Sequence, residues 1–299
     1  MRIKQNRREN GKIEVISIEG AKDDWVTVCA ISMVAGMIAD VLHEGVGHAL
    51  VALLTVAPSG TLSTVAWSSA YDSKLVAAGG TLVNLASGGM FWLLLRNSKR
   101  GSSQVRLFLL LCCAFNLFTG TGYFFFSGVS NFGDWAVVIA GMKAHVFWRV
   151  LLVVVGLLAY WFAAVTIGTA LVRYVGVPLH ETPRIRVLTI VPYVSSVVLS
   201  CLAGLMNPIG LTLVLVSALP ASAGANSGLL WMRYYVSKRT VPDTMPQPVG
   251  RSWIWIALSI AIALPFVFVL GRGITLHRWG VGRSDALASQ PSTTRNDCR

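Results

Sequence analysis

Four ionisable residues stand within nine positions of an otherwise apolar run. They are Asp40, His43, Glu44 and His48, in Ile38-Ala-Asp-Val-Leu-His-Glu-Gly-Val-Gly-His-Ala-Leu50. At membrane depth each such group costs about 2.5–3.5 kcal/mol on insertion scales, so the cluster needs a partner or a task. His43 and His48 are five residues apart and Glu44 precedes His48 by four, and all three are expected to project from one side of a helix. The segment reads as an HExxH arrangement, in which two imidazoles bind Zn2+ and the glutamate is the general base for the attacking water. The competing account is a polar cluster that merely glues spans together; two imidazoles with a carboxylate between them favour the metal. Gly45 and Gly47 would let another backbone approach closely.

The elements that must hold these groups follow from composition. Of 299 residues, 54% are hydrophobic and only 13% charged, where a soluble domain carries about 25%. That is too little charge to coat a water-soluble surface, and collagen, coiled-coil and disordered readings fail on the same numbers. The chain is expected to be an all-α, polytopic membrane helix bundle. Runs long enough to span a bilayer, about 20 apolar residues each, fall at 25–56, 74–95, 105–126, 147–172, 187–205, 209–231 and 253–271, giving seven spans. The first is too long for one perpendicular helix, so it must tilt, kink near Gly36 or protrude. Trp25, Trp92, Trp148, Trp231, Trp253 and Trp255 lie near span ends, as interfacial anchors do. Residues 1–24 form a polar N-terminal segment without a cleavable signal, and 280–299 a Ser/Thr-rich tail expected to be disordered.

The net charge of +12 lies in short patches between apolar runs, without the basic stripe and interleaved aromatics of a nucleic-acid surface; nucleic acid is excluded as a partner, and the lipid bilayer takes its place. Alternate segments beginning with the N-terminus carry seventeen Lys and Arg residues, against eight on the other side, five of those in the C-terminal tail. The positive-inside rule therefore places the N-terminus in the cytoplasm and the C-terminus outside, with the seventh span the least constrained. Cys29, Cys112, Cys113 and Cys201 sit in apolar runs as small hydrophobes, and no CxxC pair offers a metal site.

His43-Glu44-Gly45-Val46-Gly47-His48 inside an apolar helix resembles the active-site helix of the site-2 protease family of intramembrane zinc metallopeptidases. Ala78-Gly79-Gly80-Thr81-Leu82-Val83-Asn84 is similar to that family's small-Gly-Pro-x-x-Asn element, with the Gly-Pro register replaced. Asn131-Phe132-Gly133-Asp134 is similar to the segment carrying an aspartate as third zinc ligand, although the usual Leu-Asp-Gly reads Gly-Asp-Trp here. The resemblance covers 25–150, which it implies is a metallopeptidase-like core; spans in 151–279 are additional to it. It implies Zn2+ on His43, His48 and Asp134, with Glu44 catalytic.

A catalytic zinc takes three protein ligands and keeps a water position. Beyond the two histidines, the candidates are Asp40, Asp134, His145, His180 and Glu181. Asp134 and His145 share the exit side of the first span with the motif, and Asp134 is preferred. His180 and Glu181 lie in the opposite, basic loop. Asp40, one turn before His43, suits a carboxylate that orients an imidazole. Asn84, mid-span, is either a donor to the substrate oxyanion or an interhelical hydrogen bond. Leu62–Trp67 reads as an exterior loop, with a short strand as the alternative; an exposed edge there would pair with an unwound substrate. The expected function is hydrolysis of peptide bonds in membrane-embedded or membrane-adjacent polypeptides. The alternative is a non-catalytic membrane scaffold or binding protein with a metallopeptidase-like core.

Overall fold

The computed structural model describes residues 22–98, 101–175, 182–237 and 248–278. The expectations for residues 1–21 and for the tail, and the candidates His180 and Glu181, lie outside the described residues. Seven described helices are long and apolar enough to cross a membrane: α1 (Trp25–Thr55), α2 (Lys74–Asn97), α3 (Ser103–Ser130), α5 (His145–Val175), α6 (Thr182–Leu205), α7 (Leu211–Val236) and α8 (Trp253–Leu270). A short helix, α4 (Asp134–Ile139), joins α3 to α5. The chain is thus an all-α polytopic bundle with a span at each expected position.

The bundle is arranged around α3, which packs against α1, α2 and α5. Its Leu107, Leu111, Phe115 and Phe118 are buried completely or nearly so. By contrast, α5 and α8 turn large apolar side chains outward, with Trp161 67% and Ile254 80% exposed. That is the pattern of helices whose outer faces meet acyl chains rather than water.

The first helix is 31 residues long, about 46 Å at 1.5 Å per residue, against a hydrocarbon core of about 30 Å. It runs on past the core, and its irregularity is not at Gly36, which lies in regular α-helix with ordinary packing room around it. The departure is at Val41–Leu50, a ten-residue π-helical stretch that contains the whole His-Glu-His motif.

Beyond α1 the chain makes a sheet where an ordinary loop was expected. β1 (Ser59–Leu62) pairs antiparallel with β2 (Trp67–Ser68); Leu62 and Trp67 face each other as strand ends, and residues 63–66 connect them. On its other side β1 pairs antiparallel with β3 (Ile274–His277), which follows α8. The sheet order is β2-β1-β3. Because β3 joins β1, the segment leaving α8 lies on the same face of the bundle as the segment leaving α1, as the six spans between them require.

The opposite face is tied by carboxylates. Asp24 caps α1, accepting from the Thr27 backbone N–H at 2.8 Å, and pairs with Arg251 at 2.9 Å. Asp23 accepts from the Val249 N–H at 2.8 Å and pairs with the buried Arg184 at 2.7 Å. These contacts bind the start of α1 to the entries of α6 and α8.

Candidate metal centre

The spacing of the motif needs a correction. In HExxH the histidines are four apart; here His43-Glu44-Gly45-Val46-Gly47-His48 puts them five apart. On an α-helix residues five apart diverge by about 140°, so the two imidazoles could not share a face. A π-helix closes its hydrogen bonds from i to i+5, about 4.4 residues per turn, and reduces that divergence to about 50°. The π-helical stretch absorbs the extra residue, and it brings His43 Nε2 and His48 Nε2 to 3.2 Å.

Asp134 completes the group. Its Oδ2 lies 3.3 Å from His43 Nε2 and 3.4 Å from His48 Nε2. Three atoms bound to one tetrahedral ion at about 2.0–2.1 Å stand about 3.3–3.4 Å from one another, so the triangle fits one face of a tetrahedral site. His43, His48 and Asp134 could hold a metal ion. Asp134 reaches them through the turn before α4, where Asn131 (φ 55°) and Gly133 (φ 84°) adopt left-handed conformations. At the far end of α4, Lys74 Nζ donates to the Ala140 carbonyl at 3.0 Å. Burial alone would raise the Asp134 carboxyl, but the His43 and His48 imidazoles beside it outweigh burial and hold the carboxyl well below its ordinary value.

Two contacts orient the imidazoles. His48 Nδ1 lies 2.7 Å from the Val76 carbonyl oxygen; an Nδ1–H donating there leaves the Nε2 lone pair for a metal. The His43 ring stacks on Tyr123, with centroids 4.7 Å apart. The approach of α2 depends on glycine: a Cβ on Gly47 would lie 2.6 Å from Gly80 N, and one on Gly80 would lie 2.6–2.7 Å from the His43 ring and overlap that of His48. Gly45, in contrast, has ordinary room at 3.6 Å, so of the two motif glycines only Gly47 serves the close approach.

The remaining candidates fall elsewhere. His145 Nε2 contacts Asn131 Oδ1 at 2.9 Å and stands outside the metal group. Asp40 Oδ2 and His43 Nδ1 are both buried without hydrogen-bond partners, so that carboxylate does not orient the imidazole; the Val76 carbonyl does this for the other ring. Asn84 is fully buried, its amide makes no hydrogen bond, and it lines neither of the two main cavities. Glu44 and Asp134 line a cavity of about 1120 Å³ between the ends of α3 and α5, the middle of α7 and the β1–β2 hairpin. Tyr123 and Val76 were not picked out by reading the sequence, and Gly80 was named only as part of the Ala78–Asn84 element, without its contact to the imidazoles. The only mark of Tyr123 is a tyrosine beside Gly120 and Gly122 in an apolar span; a backbone carbonyl such as that of Val76 leaves no mark at all.

Comparison with protein-family models, with curated proteins and with solved structures finds no match to this chain.

Proposed function

We propose that the protein is an intramembrane zinc metallopeptidase of the site-2 protease kind, acting on membrane-embedded or membrane-adjacent polypeptides. The observation that carries this reading is the 3.2–3.4 Å triangle of His43 Nε2, His48 Nε2 and Asp134 Oδ2, with Glu44 beside it at the wall of a large cavity. Two imidazoles and one carboxylate suit Zn2+ in its catalytic form, which keeps a position open. When bound there, zinc would polarise the scissile carbonyl and make water acidic enough to attack at neutral pH.

The residues of the chain supply the rest. Glu44, next in sequence to one ligand, takes the proton of the attacking water on its carboxylate and returns it to the departing amide nitrogen. Tyr123 and the Val76 carbonyl keep the imidazole planes fixed. The cavity is lined by Trp67, Ser68 and Ser69 at the outer strand of the sheet, an edge able to pair with an extended substrate and present its carbonyl in the open.

The test is metal content and hydrolysis measured on the same preparations. In proteoliposomes holding a membrane-spanning reporter peptide, the protein should contain about one zinc and cleave the reporter, and a chelator should stop cleavage. Glu44→Gln should keep the zinc and lose about 10²–10⁴-fold in rate. Zinc bound with no chelator-sensitive cleavage of any reporter would favour the scaffold over the enzyme.

A further inference from the structure

A second, smaller cavity of about 50 Å³ adjoins the first, and Glu44, Val65, Tyr123, Ser217 and Ala221 line both. Glu44 is therefore part of the wall between them. His48 and Asp134 face the large cavity, whereas His43 and Asp40 face the small one. The small cavity is lined by polar side chains from α1, α6, α7 and the hairpin connection.

Five of the residues that line it each carry a buried polar atom with no protein partner: Asp40 Oδ2, His43 Nδ1, Glu44 Oε2, Thr64 Oγ1 and Asn226 Oδ1. Thr64 and Asn226 are each only 5% exposed. Ser196 and Ser222 also line it and donate their hydroxyl hydrogens to helix carbonyls, which leaves oxygen lone pairs free to accept. A buried polar group left unpaired forfeits its hydration without compensation. Five such residues around one small space favour water as the missing partner over a dry cavity. A cavity needs about 10–15 Å³ to admit a water, and a resident water wants two to four polar partners; at about 50 Å³ this one has room for about three waters among polar side chains.

We infer that the polar cavity behind Glu44 is a resident water chamber that supplies Glu44 from the side opposite the substrate. The supply role rests on the peptidase reading; the presence of the water does not. A polypeptide occupying the large cavity would displace the water there, while water held behind Glu44 stays within reach of its carboxylate. Asp40, Thr64 and Asn226 hold that water and are positioning groups; none of them touches the reacting atoms.

X-ray radiolytic footprinting of the zinc-loaded protein in lipid nanodiscs tests this, because radicals form from water already in place. Phe115, 1% exposed, lines only the small cavity; Phe118, 0% exposed, lines neither cavity. Phe115 should be labelled and Phe118 should not. Asn226→Leu combined with Thr64→Val should remove most of the Phe115 label with zinc content unchanged, and should lower kcat on the reporter about tenfold at constant KM. If the double variant loses its zinc, Thr64→Val alone, which keeps the side-chain shape, should still reduce the label.

An unlabelled Phe115 in the unaltered protein overturns the chamber. A label that changes when sodium is replaced by N-methylglucamine also overturns it, in favour of a bound cation. A lost label with kcat intact overturns the supply role. A protein that labels Phe115 yet cleaves nothing overturns the peptidase reading and the supply role together, while supporting the hydrated chamber.

Discussion

At Gly80 one added methyl group would meet both imidazoles, so Gly80→Ala is expected to lower metal affinity by about 10–100-fold, the range for groups that hold ligands in place. Gly45→Ala, with ordinary room around it, should leave metal binding unchanged; titration of the metal-free proteins with zinc separates the two. The third ligand gives a parallel comparison. Asp134→Ala leaves two imidazoles and should drop zinc well below one per chain, and Asp134→Asn, which keeps an oxygen but not the charge, should fall between. His145→Ala should retain full zinc, because that ring meets Asn131 and not the metal group; a loss there equal to that of Asp134→Ala would remove the assignment. His43, Glu44 and His48 were legible in the sequence because ionisable groups within an apolar run stand out against the cost of burying them; Asp134 was legible through the resemblance and through lying on the same side as the motif. Gly80 and Tyr123 carry no such cost, and their role emerges only once α2 and α3 are packed against α1.

At the scale of elements, the motif works through a helix type that its residues do not announce. The five-residue spacing of His43 and His48 is compatible with one face only because Val41–Leu50 is π-helical. Deleting Val46, whose side chain is partly exposed at the outer face, should let the stretch relax to an α-helix with its histidines four apart. Metal binding is then expected to survive, measured as zinc per chain, whereas the same deletion in a regular α-helix would rotate the second histidine by about 100° and abolish it. The N-terminal cap of α1 gives an element-level prediction with a pH dependence. Burial acts to raise the Asp24 carboxyl, but hydrogen bonds from Thr27 and the charge of Arg251 outweigh it and hold the group below its ordinary value. A depressed carboxyl adds stability that is present above its unfolded value, about 3.9, and is lost as pH falls through the folded one. Asp24→Ala should therefore cost about 1 kcal/mol near neutral pH, and the difference in melting temperature from the unaltered protein should shrink below about pH 4. Helix positions were readable from apolar run length. The sheet was not, since β1 and β2 are four and two residues long and β3 joins them from the far end of the chain.

For the whole molecule, the charge count and the sheet bear on the same question from different directions. The count of Lys and Arg puts the N-terminus inside, but the arginines of the C-terminal tail oppose that rule for α8. Pairing of β3 with β1 is independent of charge: Thr61 stands opposite Thr275, so the chain after α8 must emerge on the face where the chain after α1 does. Sidedness relative to the cell and sidedness of the two strands relative to each other can thus be tested separately. In a background with the native cysteines replaced, an impermeant thiol reagent added to intact cells should label Ser68→Cys and Thr275→Cys, both exposed on the sheet, and spare Ser102→Cys, which precedes α3 on the opposite face. Reversal of all three would overturn the orientation and leave the fold untouched, placing the metal group nearer the cytoplasm. Labelling of Ser68→Cys and Thr275→Cys from opposite sides would instead break the β1–β3 pairing and with it the seven-span bundle. The decisive version joins the two strands: Thr61→Cys with Thr275→Cys should form a disulfide under mild oxidation, because directly opposed antiparallel residues fall within the Cα separation a disulfide bridges, about 4.4–6.8 Å. That cross-link can form only if α8 crosses the membrane fully and returns the chain to the mouth of the cavity.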